Sequence, residues 1–249
     1  MNKMGEYSNQ EFIKAIKEAW SVLVIEKNAT PGVNPQGFVI GGQPGAGKSS
    51  LVKKLLKDNK NLVSIDADIL KTFHPRYDTI QEIYPQDAHD LLKNFSGKLK
   101  DTITDMALEG KYSVIIESTF RDPQVPKNIL TQLKEGGYET TVLVQTCSSE
   151  LSWNSCLARE RITGRAVDKE FHDNVVKNLS KHIKEVAQTG LADHMQVFAR
   201  VETRGKEGHF EQQEIYNNAT KKVPNSATID KYILGERHKR QETSSYMGR

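Results

Sequence analysis

Cysteine is nearly missing: Cys147 and Cys156 are the two thiols in 249 residues. Two thiols cannot build the disulfide framework of a small secreted scaffold, and their spacing matches no metal-ligand pattern. Both read as reduced packing residues of a cytoplasmic protein. Long apolar runs are absent too. No stretch approaches the about 18 residues that a membrane helix needs. The opening "MNKMGEYSNQEFIKAIKEAW" has neither an apolar signal core nor a small-residue cleavage site, so no membrane partner is expected. Charge of one sign is scarce, with 35 Lys and Arg against 32 Asp and Glu and a net charge of +3. That balance gives no support for nucleic-acid binding. Nor does any stretch interleave clustered cations with aromatics, as a single-strand channel would. Repeats and low-complexity segments are also lacking. The remainder, 37% hydrophobic with a mean hydropathy of −0.60, describes a globular chain with a wet surface.

The residues that are present organise as alternating short apolar runs and amphipathic stretches. "SNQE" at Ser8–Glu11 has capping-box spacing, and Phe12, Ile13, Ile16, Trp20, Leu23 and Val24 follow with helical period. One N-terminal amphipathic helix packed on the body of the domain is expected. "NATPGVNPQG" ends it. "FVI", "LVSID", "YSVIIE", "TTVLVQT", "MQVFARV" and "EQQEIYN" read as strands, and helices are expected between most of them. This alternation predicts an α/β class with a mostly parallel sheet flanked by helices. The tail containing "ERHKRQ" reads as a solvated helix that frays.

Gly42 to Ser49, in "GGQPGAGKSS", satisfies G-x-x-x-x-G-K-[ST] between an expected strand and an expected helix. Backbone N–H groups freed by the glycines converge on phosphate oxygens there, and the helix N-terminus adds a favourable dipole. Gly42, Gln43, Pro44, Gly45, Ala46, Gly47, Lys48, Ser49 and Ser50 are the candidate ATP-binding residues. Lys48 is expected on the β- and γ-phosphates and the Ser49 hydroxyl on Mg²⁺. The D-x-x-G and N-K-x-D strings of a GTPase and the LSGGQ-like string of a transport ATPase do not occur. These absences favour a small-molecule phosphotransferase.

A kinase must orient an acceptor hydroxyl and take its proton. In open α/β sheets the ligand lies beyond the carboxyl ends of the strands. Asp66 and Asp68 end the expected strand after the loop, and Glu117 ends the next. If both aspartates are extended, they share one face. The competing reading is a helix N-cap, for which Asp68 is the better placed.

"GGQPGAGKSSL", "SIDADILKTFHPRYD", "VIIESTFRDPQVP", "GGYETTVLV" and "GRAVDKEFHD" together resemble the zeta toxins of bacterial toxin–antitoxin systems, in order from about Val39 to Phe198. The resemblance implies a P-loop kinase that moves the γ-phosphate of ATP to the 3′-hydroxyl of UDP-N-acetylglucosamine and so blocks peptidoglycan synthesis. It implies Asp68 as base and Lys48 and Ser49 on the triphosphate and Mg²⁺. Glu117, Thr119 and Arg121 would line the acceptor pocket, and Arg159 and Arg165 would clamp the transferring phosphates. Asp66 is assigned to Mg²⁺ or loop support. His74 and His172 read as braces. Two positions depart from the family pattern: "ERITG" is short, and Ile129 stands where better-known members carry a hydroxyl. Both are expected beside the acceptor and lid.

Family membership further implies a helical antitoxin that obstructs the nucleotide site, with the N-terminal helix as part of its docking surface. Residues 1–249 are read as one kinase domain: an N-terminal helix and linker over 1–36, a core over 37–203 and an extension over 204–249. Two alternatives stay open. One is a phosphotransferase of the same scaffold acting on another nucleotide, an antibiotic or a polynucleotide end. The other is a nucleotide-binding regulatory module without transfer chemistry.

Overall fold

The capping box at the N-terminus is formed. Ser8 Oγ accepts from the Glu11 N–H at 3.2 Å, and Glu11 Oε2 accepts from the Ser8 N–H at 2.7 Å. The computed structural model describes residues 3–163, 166–203, 206 and 208–235. The box opens α1 (Asn9–Trp20), which buries Phe12, Ala15 and Ala19 and leaves Ile13 outward. The periodicity predicts one helix through Val24, but the backbone widens to a π-helical turn over Ser21–Ile25. That turn still carries Leu23 and Val24 into the core.

The chain continues through β1 (Gln36–Gly41), α2 (Lys48–Asp58), β2 (Val63–Ile65), α3 (Ala67–Leu70) and a 3₁₀ turn at Lys71–Phe73. Next come α4 (Tyr77–Ile83), α5 (Ala88–Glu109), β3 (Val114–Glu117), α6 (Gln124–Glu135) and β4 (Glu139–Thr146). Then follow α7 (Ser149–Thr163), α8 (Lys169–Gln188), β5 (His194–Glu202), β6 (Phe210–Asn217) and α9 (Ser226–Ile233). The strands form one sheet in the order β2-β3-β1-β4-β5-β6. The first five are parallel, and β6 returns antiparallel to β5. Among the described residues no helix is long and apolar enough to cross a membrane.

Helices on both faces explain why the central strands read as continuous apolar runs. Successive residues of a strand point to opposite faces, and the core divides accordingly. Val39, Val114, Ile116, Val142 and Val144 face the larger cluster with α1, α5, α6 and α8. Ile40, Ile115 and Leu143 face a smaller one with Leu51 and Val52 of α2. Ile229 and Ile233 of α9 join the larger cluster, so order persists past Asn225. The "ERHKRQ" stretch lies outside the described residues.

From β1 the chain passes to β2 and β3 on one side, then crosses to β4 and β5 on the other. The turn after β1 therefore lies at the switch point, where open α/β sheets bind ligands.

Phe95 of α5 ties the N-terminal segment to the stretch after β2. It is fully buried, with ring centroids of Tyr7, Phe12 and His74 at 5.0, 5.8 and 4.8 Å. Phe95→Ala is expected to cost about 3–5 kcal/mol in urea unfolding; a loss below about 1 kcal/mol would show that this aromatic cluster contributes little.

Candidate active site

The loop from Gly42 to Ser49 is pressed between β4 and α7. Gly42 has φ 131°, and a Cβ there would lie 1.9 Å from the Gln145 carbonyl oxygen. Gly45 has φ 76°, and a Cβ would lie 2.0 Å from the Ser152 carbonyl oxygen. Side chains are excluded at both positions by backbone that cannot move aside. Gln43 is fully buried: Nε2 donates to the Cys147 carbonyl at 2.8 Å and Oε1 accepts from Thr146 Oγ1 at 2.9 Å. Its side chain thus braces the loop to the end of β4. The cap of α2 is Gly47, which has no side chain to satisfy the first N–H groups, so the helix start is available to an anion. Lys48 Nζ lies back over the loop, donating to the Gly42 and Gln43 carbonyls at 3.1 and 3.2 Å. Ser49 and Ser50 are exposed at the helix start, and Ala46 is buried beneath the turn. Burial pushes the Cys147 thiol up to about 12 and raises that of Cys156, in keeping with inert packing thiols.

The aspartates differ from expectation. Asp66 is extended (φ −115°, ψ 118°), but Asp68 already belongs to α3, so the two do not share a strand face. The capping role falls to Asp66, whose Oδ1 accepts from the Asp68 N–H at 2.9 Å. The cap starts the helix that presents Asp68. Asp68 Oδ1 accepts from Lys71 Nζ at 2.8 Å, and the same ammonium reaches His89 Nδ1 of α5 at 2.9 Å. Lys71 is only 7% exposed. Burial lowers its affinity for a proton, Asp66 opposes that, and Arg159 of α7 adds to it. Arg159 therefore lies within electrostatic reach of this cluster. His89 is held below its ordinary range by desolvation and then by the Lys71 charge, so its neutral ring accepts from the ammonium.

Glu117 ends β3 beside the same group. Burial, and then Asp66, raise its carboxyl above the usual range, while Lys48 and Lys100 partly offset them. Lys100 of α5 donates to the Glu117 carbonyl at 2.9 Å and is itself lowered by burial. Carboxylates 66, 68 and 117 are thus interleaved with ammonium groups 48, 71 and 100. Beyond Glu117 the chain turns sharply at Phe120, which takes φ 56°. It holds this costly conformation by burying its ring against Gly41 and by the contact of its carbonyl with His182 Nδ1 at 2.9 Å. The turn exposes Thr119 and Arg121, and the Arg121 guanidinium lies 5.1 Å from the Phe171 ring of α8.

Arg165 lies outside the described residues. Ile129 is partly buried and packs against the larger core cluster on the inner side of α6. His74 and His172 are braces, as expected. His74 Nδ1 accepts from the Arg76 N–H at 3.1 Å, and buried His172 meets Ser152 Oγ at 2.9 Å, joining α8 to α7. Sequence reasoning missed Lys71, His89 and Lys100. Lys71 stands three residues after Asp68 in a helical stretch, a spacing that signals a side-chain pair. His89 and Lys100 arrive through long-range packing of α5 and carry no local signal. A groove of about 680 Å³ lined by Met4, Tyr7, Glu11, Arg76 and Tyr84 lies apart from these groups. It holds none of the phosphate-loop or carboxylate residues, so chemistry rather than concavity locates the site.

Among the described residues no set of three His, Cys, Asp or Glu side chains could hold a metal unaided. Ser49 hydroxyl and Asp66 carboxylate nevertheless suit Mg²⁺, which commonly binds through one or two protein oxygens with substrate phosphates and water completing its shell.

A glycine loop at the switch point of a parallel sheet, facing carboxylates on the adjacent strand ends, defines a P-loop protein of the kinase type. The family follows from comparison with known proteins. The sequence profile of the zeta toxin family matches residues 22–221, and the chain belongs to that family. Toxin PezT of Streptococcus pneumoniae is 30% identical over 206 residues, covering 80% of this chain and 81% of PezT. Toxin zeta of Streptococcus pyogenes is 28% identical over 208 residues, covering 80% and 72%. In fold, the chain is similar to a structure from the PezAT chromosomal toxin–antitoxin system of S. pneumoniae, with a TM-score of 0.77 and 24% identity over 93% of this chain and 90% of that one. It is also similar to the AvrRxo1-ORF1:-ORF2 complex, with a TM-score of 0.68 and 14% identity over 93% and 74%.

Because the folded protein raises the Glu117 pKa, the native state binds the proton more tightly than the unfolded chain does. Stability is therefore lost as pH rises from about 4.5 through the folded value. Glu117→Gln is expected to melt at a higher temperature than the parent at pH 8, with the gap closing towards pH 4.5. A variant melting lower than the parent at pH 8 would contradict the raised pKa.

Proposed function

We propose that this zeta-family chain is an ATP-dependent kinase that transfers the γ-phosphate to the 3′-hydroxyl of UDP-N-acetylglucosamine, withdrawing a peptidoglycan precursor. The observation that carries the reading is that Glu117 lies within electrostatic reach of both Asp66 and Lys48, with Asp68 on the turn that Asp66 caps. In a kinase the γ-phosphate must meet its acceptor in front of that lysine. The acceptor hydroxyl gives its proton to Asp68 as its oxygen bonds to the γ-phosphorus, and the bond to the ADP oxygen breaks. Lys71 Nζ donates to Asp68 Oδ1 and so holds the carboxylate in place. A carboxylate held in this way suffices because phosphoryl transfer is mostly positioning and charge neutralisation.

Gly42 to Ser50 cradle the triphosphate through backbone N–H groups, with Lys48 on its terminal phosphates. Arg159, with Arg165, neutralises charge on the transferring group. Glu117, Thr119 and Arg121 hold the amino sugar. Ser49 and Asp66 would hold Mg²⁺, which when bound supplies further neutralisation of the triphosphate. Residues 1–249 act as one kinase unit in the cytoplasm, restrained by a helical antitoxin. The relationship to a toxin of the PezAT toxin–antitoxin system and the two-component AvrRxo1 complex support such a partner.

Mass spectrometry of UDP-N-acetylglucosamine incubated with protein and Mg-ATP tests this. One added phosphate is expected with the parent and none with Lys48→Ala. Asp68→Asn should be slowed roughly 10²- to 10⁴-fold with ATP binding retained. An unmodified sugar would refute the acceptor, and an undiminished rate in Asp68→Asn would refute the base.

A further inference from the structure

Arg200, near the carboxyl end of β5, has no part in the machinery above. Its Cδ lies 3.7 Å and its Nη1 4.0 Å from where a Cβ on Gly47 would sit, so it stands against the last glycine of the phosphate loop. Its guanidinium carbon is 4.1 Å from the centroid of the Phe210 ring. The pairing of β5 with β6 creates this contact. Arg200 pairs with Gln212 and Glu202 with Phe210, which makes Arg200 and Phe210 diagonal neighbours across the ribbon. The Arg200 guanidinium makes no hydrogen bond or ion pair among the described residues, and it is half-buried. A cation placed beside a phosphate loop, stacked on an aromatic and with its donors unspent, calls for a ligand.

Sheet order says which part of the ligand. The carboxylates lie on β2 and β3, to one side of β1, and β4, β5 and β6 lie to the other. A triphosphate in the loop must turn its γ-phosphate towards the carboxylates. Its α-phosphate and nucleoside then leave in the opposite direction, towards β5 and β6. Thr146 ends β4 level with Ala199, so Arg200 is the first β5 residue to project past that edge. We propose that Arg200 and Phe210 form the subsite for the purine base of the nucleotide. Phe210 covers one face of the planar guanidinium, and the base stacks on the other. Arginine planes and aromatic rings are suited to this because every purine offers a π-face. The subsite rests on the ATP reading above and adds the residues that hold the base.

The test compares binding of ATP with binding of inorganic tripolyphosphate, which has the phosphates and lacks the base. Arg200→Ala is expected to weaken ATP on the order of tenfold and to leave tripolyphosphate within about twofold. Arg200→Lys keeps the charge and removes the plane, so it should lose ATP affinity to a similar degree. Phe210→Leu should lose less, in the same direction. Equal weakening of both ligands in Arg200→Ala, full rescue by Arg200→Lys, or no change in either variant would each overturn the subsite. Lys48→Ala should lose both ligands, and retained ATP binding there would overturn the nucleotide reading itself.

Discussion

Everything at this site depends on how tightly the loop after β1 is seated. Gly42 and Gly45 press it onto the carbonyls of Gln145 and Ser152, where a single methyl group would collide. Buried Gln43 then fastens it to the end of β4 through both halves of its amide. Unmade, those hydrogen bonds would leave polar groups stranded in the core at a cost of about 1–3 kcal/mol each. The loop is therefore held by the sheet before any ligand arrives, with N–H groups at the start of α2 already aimed. Pre-organisation of this kind is what electrostatic catalysis requires, since dipoles that are already set need no rearrangement during reaction.

Around that fixed loop the protein gathers charge that it would otherwise avoid. Glu117 is a strained carboxyl, with its pKa raised by burial and by Asp66. Lys71 and Lys100 are ammonium groups whose burial disfavours their charge. Each is tolerable because the opposite sign stands next to it. Groups driven from their ordinary ionisation by burial and a specific partner mark functional sites more often than structural ones. The α5 helix is central here: its inner face supplies Phe95 and Leu99 to the core, while Lys100 and His89 lean into the site.

Much of this was legible in the sequence because it is local. The strand–glycine loop–helix succession around Lys48, the capping box at Ser8 and the alternation behind the parallel sheet each lie within a short window. The finer geometry of Asp66 and Asp68 was misread because one residue of difference decides whether an aspartate ends a strand or starts a helix. The chain resolves it by letting Asp66 cap the turn that carries Asp68. The packing of Ile129 on the larger core cluster was not legible, because a helix face cannot be assigned without knowing what the helix packs on. His89, Lys100 and Arg200 were invisible for the same reason: α5 brings His89 to Lys71 and Lys100 to the Glu117 carbonyl, the β5–β6 ribbon sets Arg200 against Gly47, and nothing in their neighbourhoods announces it.

The central claim is that the seated loop aims the γ-phosphate at a hydroxyl held by Asp68. A crystal structure with a non-hydrolysable ATP analogue and UDP-N-acetylglucosamine tests it most directly. The account predicts the triphosphate in the loop over Lys48 and the sugar 3′-hydroxyl within hydrogen-bond distance of Asp68, in line with the γ-phosphorus. A sugar hydroxyl bound elsewhere, with Asp68 still closed on Lys71 and out of reach, would contradict it.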